Sequence, residues 1–137
     1  MRARLRRGER GSATELVVVF PFVMFLLLLV IQFALWYHAT HVAQAAAQEG
    51  ARVARVAVPA GQPADSPAQR DAGIQRAQDF LAGMGAFDDK QVTGTRDANV
   101  ARVDVTGTAP SLVPGFTLTI HEHSEGPVER FRAANEP

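Results

Sequence analysis

The sequence predicts an α+β fold: a long N-terminal transmembrane helix continuing into a stalk, then a small domain of one helix and a short antiparallel sheet. Three observations carry this expectation. An apolar run fills residues 16–37, an alanine-rich stretch without proline follows it, and the hydrophobic period changes from helical to alternating in the C-terminal third.

Leu16 to Tyr37 contains no charged residue, and Gln32 is its one strongly polar side chain. At about 1.5 Å per residue it reaches roughly 33 Å, enough to cross a hydrocarbon core of about 30 Å. The preceding residues 1–15 form a basic leader in which Arg2, Arg4, Arg6, Arg7 and Arg10 oppose Glu9 and Glu15. Arginines this close to a span resist translocation, so the leader is expected in the cytoplasm and the C-terminal part outside. Trp36 and Tyr37 close the run where amphipathic rings favour the headgroup region. Pro21 falls in the first turns, where a missing hydrogen bond costs less than mid-helix. A cleavable secretory signal fits poorly, because the apolar run is too long and the small residues Ala45 to Ala47 lie well beyond it.

Residues 38–58 lack proline and are rich in alanine, the best helix former, so the span is expected to continue as a helical stalk. Ala39, Ala43, Ala46, Gly50, Ala54 and Ala57 recur at spacings of three and four. Such a small-residue stripe lets another helix approach closely, although alanine also simply keeps an exposed helix helical. A glycine in an ordinary helix interior costs about 1 kcal/mol relative to alanine, which favours a packing role for Gly50.

Pro59, Gly61 and Pro63 mark a linker over 59–66. Ser66, Pro67 and Gln69 resemble a capping box with proline at the first helical position, so a helix is expected from Pro67 to about Leu81. Ile74, Ala77, Leu81 and Met84 would line its inner side with Phe80 beside them, and Gly83 and Gly85 would end it. Three strands are then expected: Gln91 to Thr95, Val100 to Gly107, and Phe116 to His121, with Asp97-Ala98-Asn99 as the first turn. Pro127 to Phe131 could add a last segment. The expected domain covers 67–132, and 133–137 form a tail.

Several function classes fall away. Beyond the leader, nine basic residues face twelve acidic ones, which is no nucleic-acid footprint. There is no cysteine, hence no disulfide. His121 and His123 alternate in a strand and could share an ion, but two imidazoles leave a zinc site short of ligands, and a solvated edge explains them better. His38 and His41 read as interfacial polar residues. No nucleophile elbow, phosphate loop or HExxH motif is present, and no cofactor is expected. Glu15 beside the apolar run is favourable to the helix dipole and close enough to the interface to stay wet.

The chain resembles the TadE-like proteins, pseudopilins of the tight-adherence (Flp) pilus system. The resemblance rests on the basic start, Gly11-Ser12-Ala13, Glu15, the apolar run with Pro21, and Glu49-Gly50-Ala51-Arg52. Val105 to Pro110 and Gly126 to Phe131 are similar to the actinobacterial branch. The resemblance implies a noncatalytic minor pilin-like membrane protein, whose partners are other pilin-like proteins and the pilus assembly machinery. It implies a prepilin peptidase cutting after Gly11, with Ser12 as the new N-terminus. Glu15 would be the glutamate that pairs with a neighbour's terminal amine, fourth in the processed chain where the family places it fifth. The alternatives are a generic signal-anchored extracytoplasmic binding module with no pilus role, and a small membrane-tethered enzyme.

Overall fold

The computed structural model describes residues 9–59 and 62–130, with side chains from Thr14 onward. The leader arginines Arg2, Arg4, Arg6 and Arg7, the linker residue Gly61 and the tail 133–137 lie outside the described residues. Two helices and three strands follow in order: α1 (Glu9–Ala54), α2 (Pro67–Met84), β1 (Asp88–Arg96), β2 (Val100–Thr108) and β3 (Thr119–Pro127). The strands form one antiparallel meander in the order β1-β2-β3, and both helices cover the same face of it. This is the α+β architecture expected from the sequence.

The span and the stalk form one unbroken helix of 46 residues, as expected, with Pro21 inside it. Its two halves have different surroundings. From Leu16 to Ile31 the large apolar side chains stand exposed except for half-buried Leu29, with Leu16 at 69% and Ile31 at 46%. From Ala39 to Ala54 one side is closed off, and Ala39, Ala43, Ala46, Ala47, Ala51 and Ala54 are buried. The stalk is therefore not a spacer. Its alanines have side chains short enough for α2 and the sheet to lie directly on the helix, so it becomes the central member of the core.

α2 runs from Pro67 to Met84, three residues past the expected end, and stops at Gly85 in a left-handed conformation with φ 55°. Pro67 occupies the first turn as expected, but Ser66 makes no side-chain cap bond, so the capping box is not formed. Its backbone carbonyl accepts from Arg70 N instead, and Ser66 is buried. Gly73, Ala77 and Leu81 form the buried line. Ile74 and Phe80 flank it half-buried, whereas Met84 is 53% exposed because the helix has passed the end of the core there.

The middle strand carries the clearest alternation: Ala101, Val103 and Val105 face inward, Arg102, Asp104 and Thr106 outward. β1 is longer than expected and bulges between Asp88 and Gln91, where Asp89 has φ 49°. Asp97 closes the hairpin to β2: its Oδ1 accepts from Asn99 N at 2.7 Å and Val100 N at 2.8 Å. The third strand differs most from expectation. Phe116 and Leu118 lie in the preceding loop, and β3 runs from Thr119 to Pro127 with Ile120, Glu122, Ser124 and Gly126 toward the helices. Its inward residues beyond Ile120 are polar or small, and Glu122, Ser124 and Gly126 are half-buried. Within the described residues no strand follows Pro127.

Candidate functional site

Two regions carry the residues singled out from the sequence: the exposed apolar half of α1, and the seam where its upper half meets α2. Gly11, Ser12 and Glu15 all lie on α1, and Glu15 is exposed just below the apolar surface. One helix among the described residues is long and apolar enough to cross a membrane, with a window of mean hydropathy 2.9 that is 6% buried. Among the described residues nothing covers that surface. A patch this large on a soluble monomer would be exceptional, since the largest is ordinarily about 300–600 Å².

The upper limit of the apolar surface is marked by Gln32, 1% exposed between neighbours that face outward. The loop joining β2 to β3 covers it. Gln32 Nε2 donates to Pro110 O at 3.1 Å, and Gln32 Oε1 accepts from Leu112 N at 2.8 Å. Both ends of a buried amide are thus satisfied by backbone, as burial demands. Trp36 packs against the core one turn later, while Tyr37 stays 60% exposed with its ring edge-on to His41 at 4.3 Å. His38 and His41 are both exposed.

The small-residue stripe has its neighbour within the chain. Ala39, Ala43, Ala46, Gly50 and Ala54 are buried under α2 and the sheet, and Ala57 lies past the helix end, half-buried. The helices meet backbone to backbone. A Cβ added to Gly50 would stand 2.8 Å from the Gly73 carbonyl oxygen, 3.0 Å from the Ala77 methyl and 3.2 Å from Val103 Cγ1. One added to Gly73 would stand 2.7 Å from both the Ala54 methyl and the Gly50 carbonyl oxygen. Gly50 and Gly73 are glycines because no side chain fits between the two helices there.

The flanking charges fasten the same seam. Glu49 receives Arg52 Nη2 at 2.9 Å from its own helix and Arg76 Nη2 at 3.5 Å from α2. The hydrogen bond from Arg52 is the main cause that holds the Glu49 carboxyl below its ordinary range. The tetrad Glu49-Gly50-Ala51-Arg52 is therefore the α1–α2 joint: a charge clasp, a close approach and a buried methyl.

A residue the sequence did not single out closes the top of the fold. Arg96, at the end of β1, is 9% exposed and spreads its guanidinium over three carbonyls. It donates to Ala54 O at the last turn of α1, to Val56 O at 3.1 Å and to Ala64 O of the linker at 2.9 Å. A cation at a helix C-terminus also meets the negative end of the dipole. The available signal was parity: Val92, Gly94 and Arg96 alternate onto one side, so Arg96 had to point inward.

The polar face of the sheet looks away from both helices. Arg102 holds Asp104 at 2.6 Å and reaches Glu125 at 3.5 Å, and this hydrogen-bonded partner keeps the Asp104 carboxyl below its usual range. His121 and His123 are exposed on the same face, opposite Thr106 and Asp104. Among the described residues no group of three or more His, Cys, Asp or Glu side chains is placed to hold a metal ion.

No match is found among curated proteins or among solved structures. The family model for "TadE-like protein" matches residues 11–52, which take in Gly11, Glu15, the whole apolar surface and the clasped tetrad. Over this segment, from the first turns of α1 to its joint with α2, the chain is similar to TadE-like proteins.

Proposed function

We propose that the protein is a noncatalytic, minor pilin-like subunit that takes part in assembling a tight-adherence type IV pilus or a related secretion structure. The observation that carries this reading is the coincidence of the TadE-like match with an apolar helix surface that its own domain leaves uncovered. The helix crosses the cell membrane once, with the arginine-rich N-terminus in the cytoplasm and the α+β domain outside. Cleavage by a prepilin peptidase after Gly11 leaves Ser12 first and Glu15 fourth.

The place where partner helices dock follows from what the domain already occupies. The stripe from Ala39 to Ala54 is filled by α2 and the sheet, so neighbouring pilin-like helices meet α1 on the surface below Gln32. The test is the intact mass of the membrane-extracted protein, made with and without a prepilin peptidase. Peptidase-dependent loss of Met1 to Gly11 is expected. A full-length mass in both samples, together with no crosslinks from Leu16–Ile31 to pilin-like proteins, would leave a signal-anchored module and overturn the assembly role.

A further inference from the structure

The β2–β3 loop has a composition unlike the other hairpin of the sheet. The β1–β2 turn is Asp97-Ala98-Asn99, polar and exposed beside the far end of α1. The loop from Ala109 to Leu118 reads APSLVPGFTL, with no charged residue, and descends along α1 to Gln32. Leu112 is 50% exposed and Phe116 42% exposed on it. Counted from Leu16, Gln32 stands about 24 Å along the helix. A hydrocarbon core of about 30 Å beginning at Leu16 would therefore extend past Gln32 and take the loop tip into the outer leaflet.

Backbone without regular structure survives at that depth only if its polar groups are bonded. This loop meets much of that demand. Pro110 and Pro114 have no N–H to satisfy. Ala109 N donates to Leu118 O at 2.9 Å, and Phe116 N to Val113 O at 3.1 Å across a turn whose Gly115 has φ 80°. Leu112 N and Pro110 O are taken by Gln32, and the Ser111 hydroxyl donates to Val113 O at 2.8 Å.

We infer that the β2–β3 loop is a second membrane contact, seating Leu112 and Phe116 among the lipids of the outer leaflet while Gln32 clamps it to the span. The loop continues the lipid-facing surface of α1 upward and sets the height and tilt of the domain above the bilayer. This rests on the proposed reading of α1 as a membrane span.

The chain contains no cysteine, so single labels are unambiguous. Leu26→Cys, Phe116→Cys and Thr93→Cys, each in the full chain, are labelled with an environment-sensitive dye. They are reconstituted into phosphatidylcholine–phosphatidylglycerol nanodiscs and challenged with doxyl-lipid and with aqueous iodide. The dye at 26 should be quenched by doxyl-lipid, the dye at 93 by iodide, and the dye at 116 by doxyl-lipid over iodide with blue-shifted emission. Adding Gln32→Leu to Phe116→Cys should return position 116 to iodide; unchanged lipid quenching there would overturn the clamp. Lipid quenching at 26 with iodide quenching at 116 would overturn the loop contact while leaving the span intact. Shielding of 116 from both quenchers would assign the loop to a protein neighbour and also overturn it. No lipid quenching at 26 would remove the span, and the loop contact with it.

Discussion

Replacing Gly73 with alanine sets two quantified effects against each other. The new methyl would stand 2.7 Å from the Ala54 methyl and 2.7 Å from the Gly50 carbonyl oxygen, where ordinary contact begins near 3.4 Å. Neither neighbour can rotate away, since one is backbone and the other a β-carbon, so α1 and α2 must separate by several tenths of an ångström. Overpacking of this kind costs about 1–3 kcal/mol, and here the upper end applies. Against it, alanine gains about 1 kcal/mol over glycine inside a helix. The net expectation is a loss of about 2 kcal/mol, which lowers the melting temperature of a unit this size by roughly 10 °C. Gly83 supplies the control within the same helix, because an added Cβ there meets nothing within 4 Å. Gly83→Ala should raise stability by about 0.5 kcal/mol, less than the full gain because the helix ends one residue later. The assay is thermal unfolding of the full chain in detergent micelles, followed by near-UV circular dichroism and by amide exchange at Val103 and Val105. If Gly73→Ala melts at or above the parent while Gly83→Ala behaves as stated, the close α1–α2 approach is refuted.

Three further outcomes follow from named contacts. Arg96→Met strips three carbonyls of a charged donor and should cost about 3 kcal/mol, with amide exchange rising first in the last turn of α1; Arg96→Lys, which cannot span all three, should fall between. Gln32→Leu leaves Pro110 O and Leu112 N without partners, so the β2–β3 loop should exchange faster at about 1–3 kcal/mol of local cost while the β1–β2 hairpin is unchanged. The third concerns acid. The Asn99 and Val100 N–H groups hold the Asp97 carboxyl below the usual aspartate value. Its contribution is then present above the unfolded value of about 3.9 and is lost as pH falls through the lower folded value. Asp97→Asn keeps an acceptor but cannot titrate, so urea midpoints measured between pH 7 and pH 2 should decline less steeply than in the parent.

The parts legible in the sequence were those with a clean period. Residues 16–37 declared a span by length and lack of charge, and β2 declared itself through Val103 and Val105 alternating with Arg102 and Asp104. β3 was misplaced because Phe116 and Leu118 mimic a period of two inside a loop, whereas the true strand turns Glu122, Ser124 and Gly126 inward and shows no apolar stripe. The stripe on α1 was visible as spacing, but spacing cannot name the neighbour: a short face admits the chain's own α2 as readily as another chain's helix. Gly73, 23 positions after Gly50, supplied the missing half of that contact, and only the fold sets the two opposite each other. Gln32 stood out as the one polar residue of the span, yet its partners are backbone atoms 78 and 80 positions away.

The unbroken course of α1 has a mechanical consequence. The domain grips the helix from Gln32 to Ala54, and the same rod continues downward without a joint as far as Pro21, where the proline nitrogen cannot donate its helical bond. A pull or a twist applied to the exposed apolar half above Pro21 reaches the α+β domain directly, because no slack tether lies between the two. Pro21, where the helical ladder lacks one donor, lies well below the domain, so moving the rod between Pro21 and Gln32 moves the domain by the same distance and through the same angle.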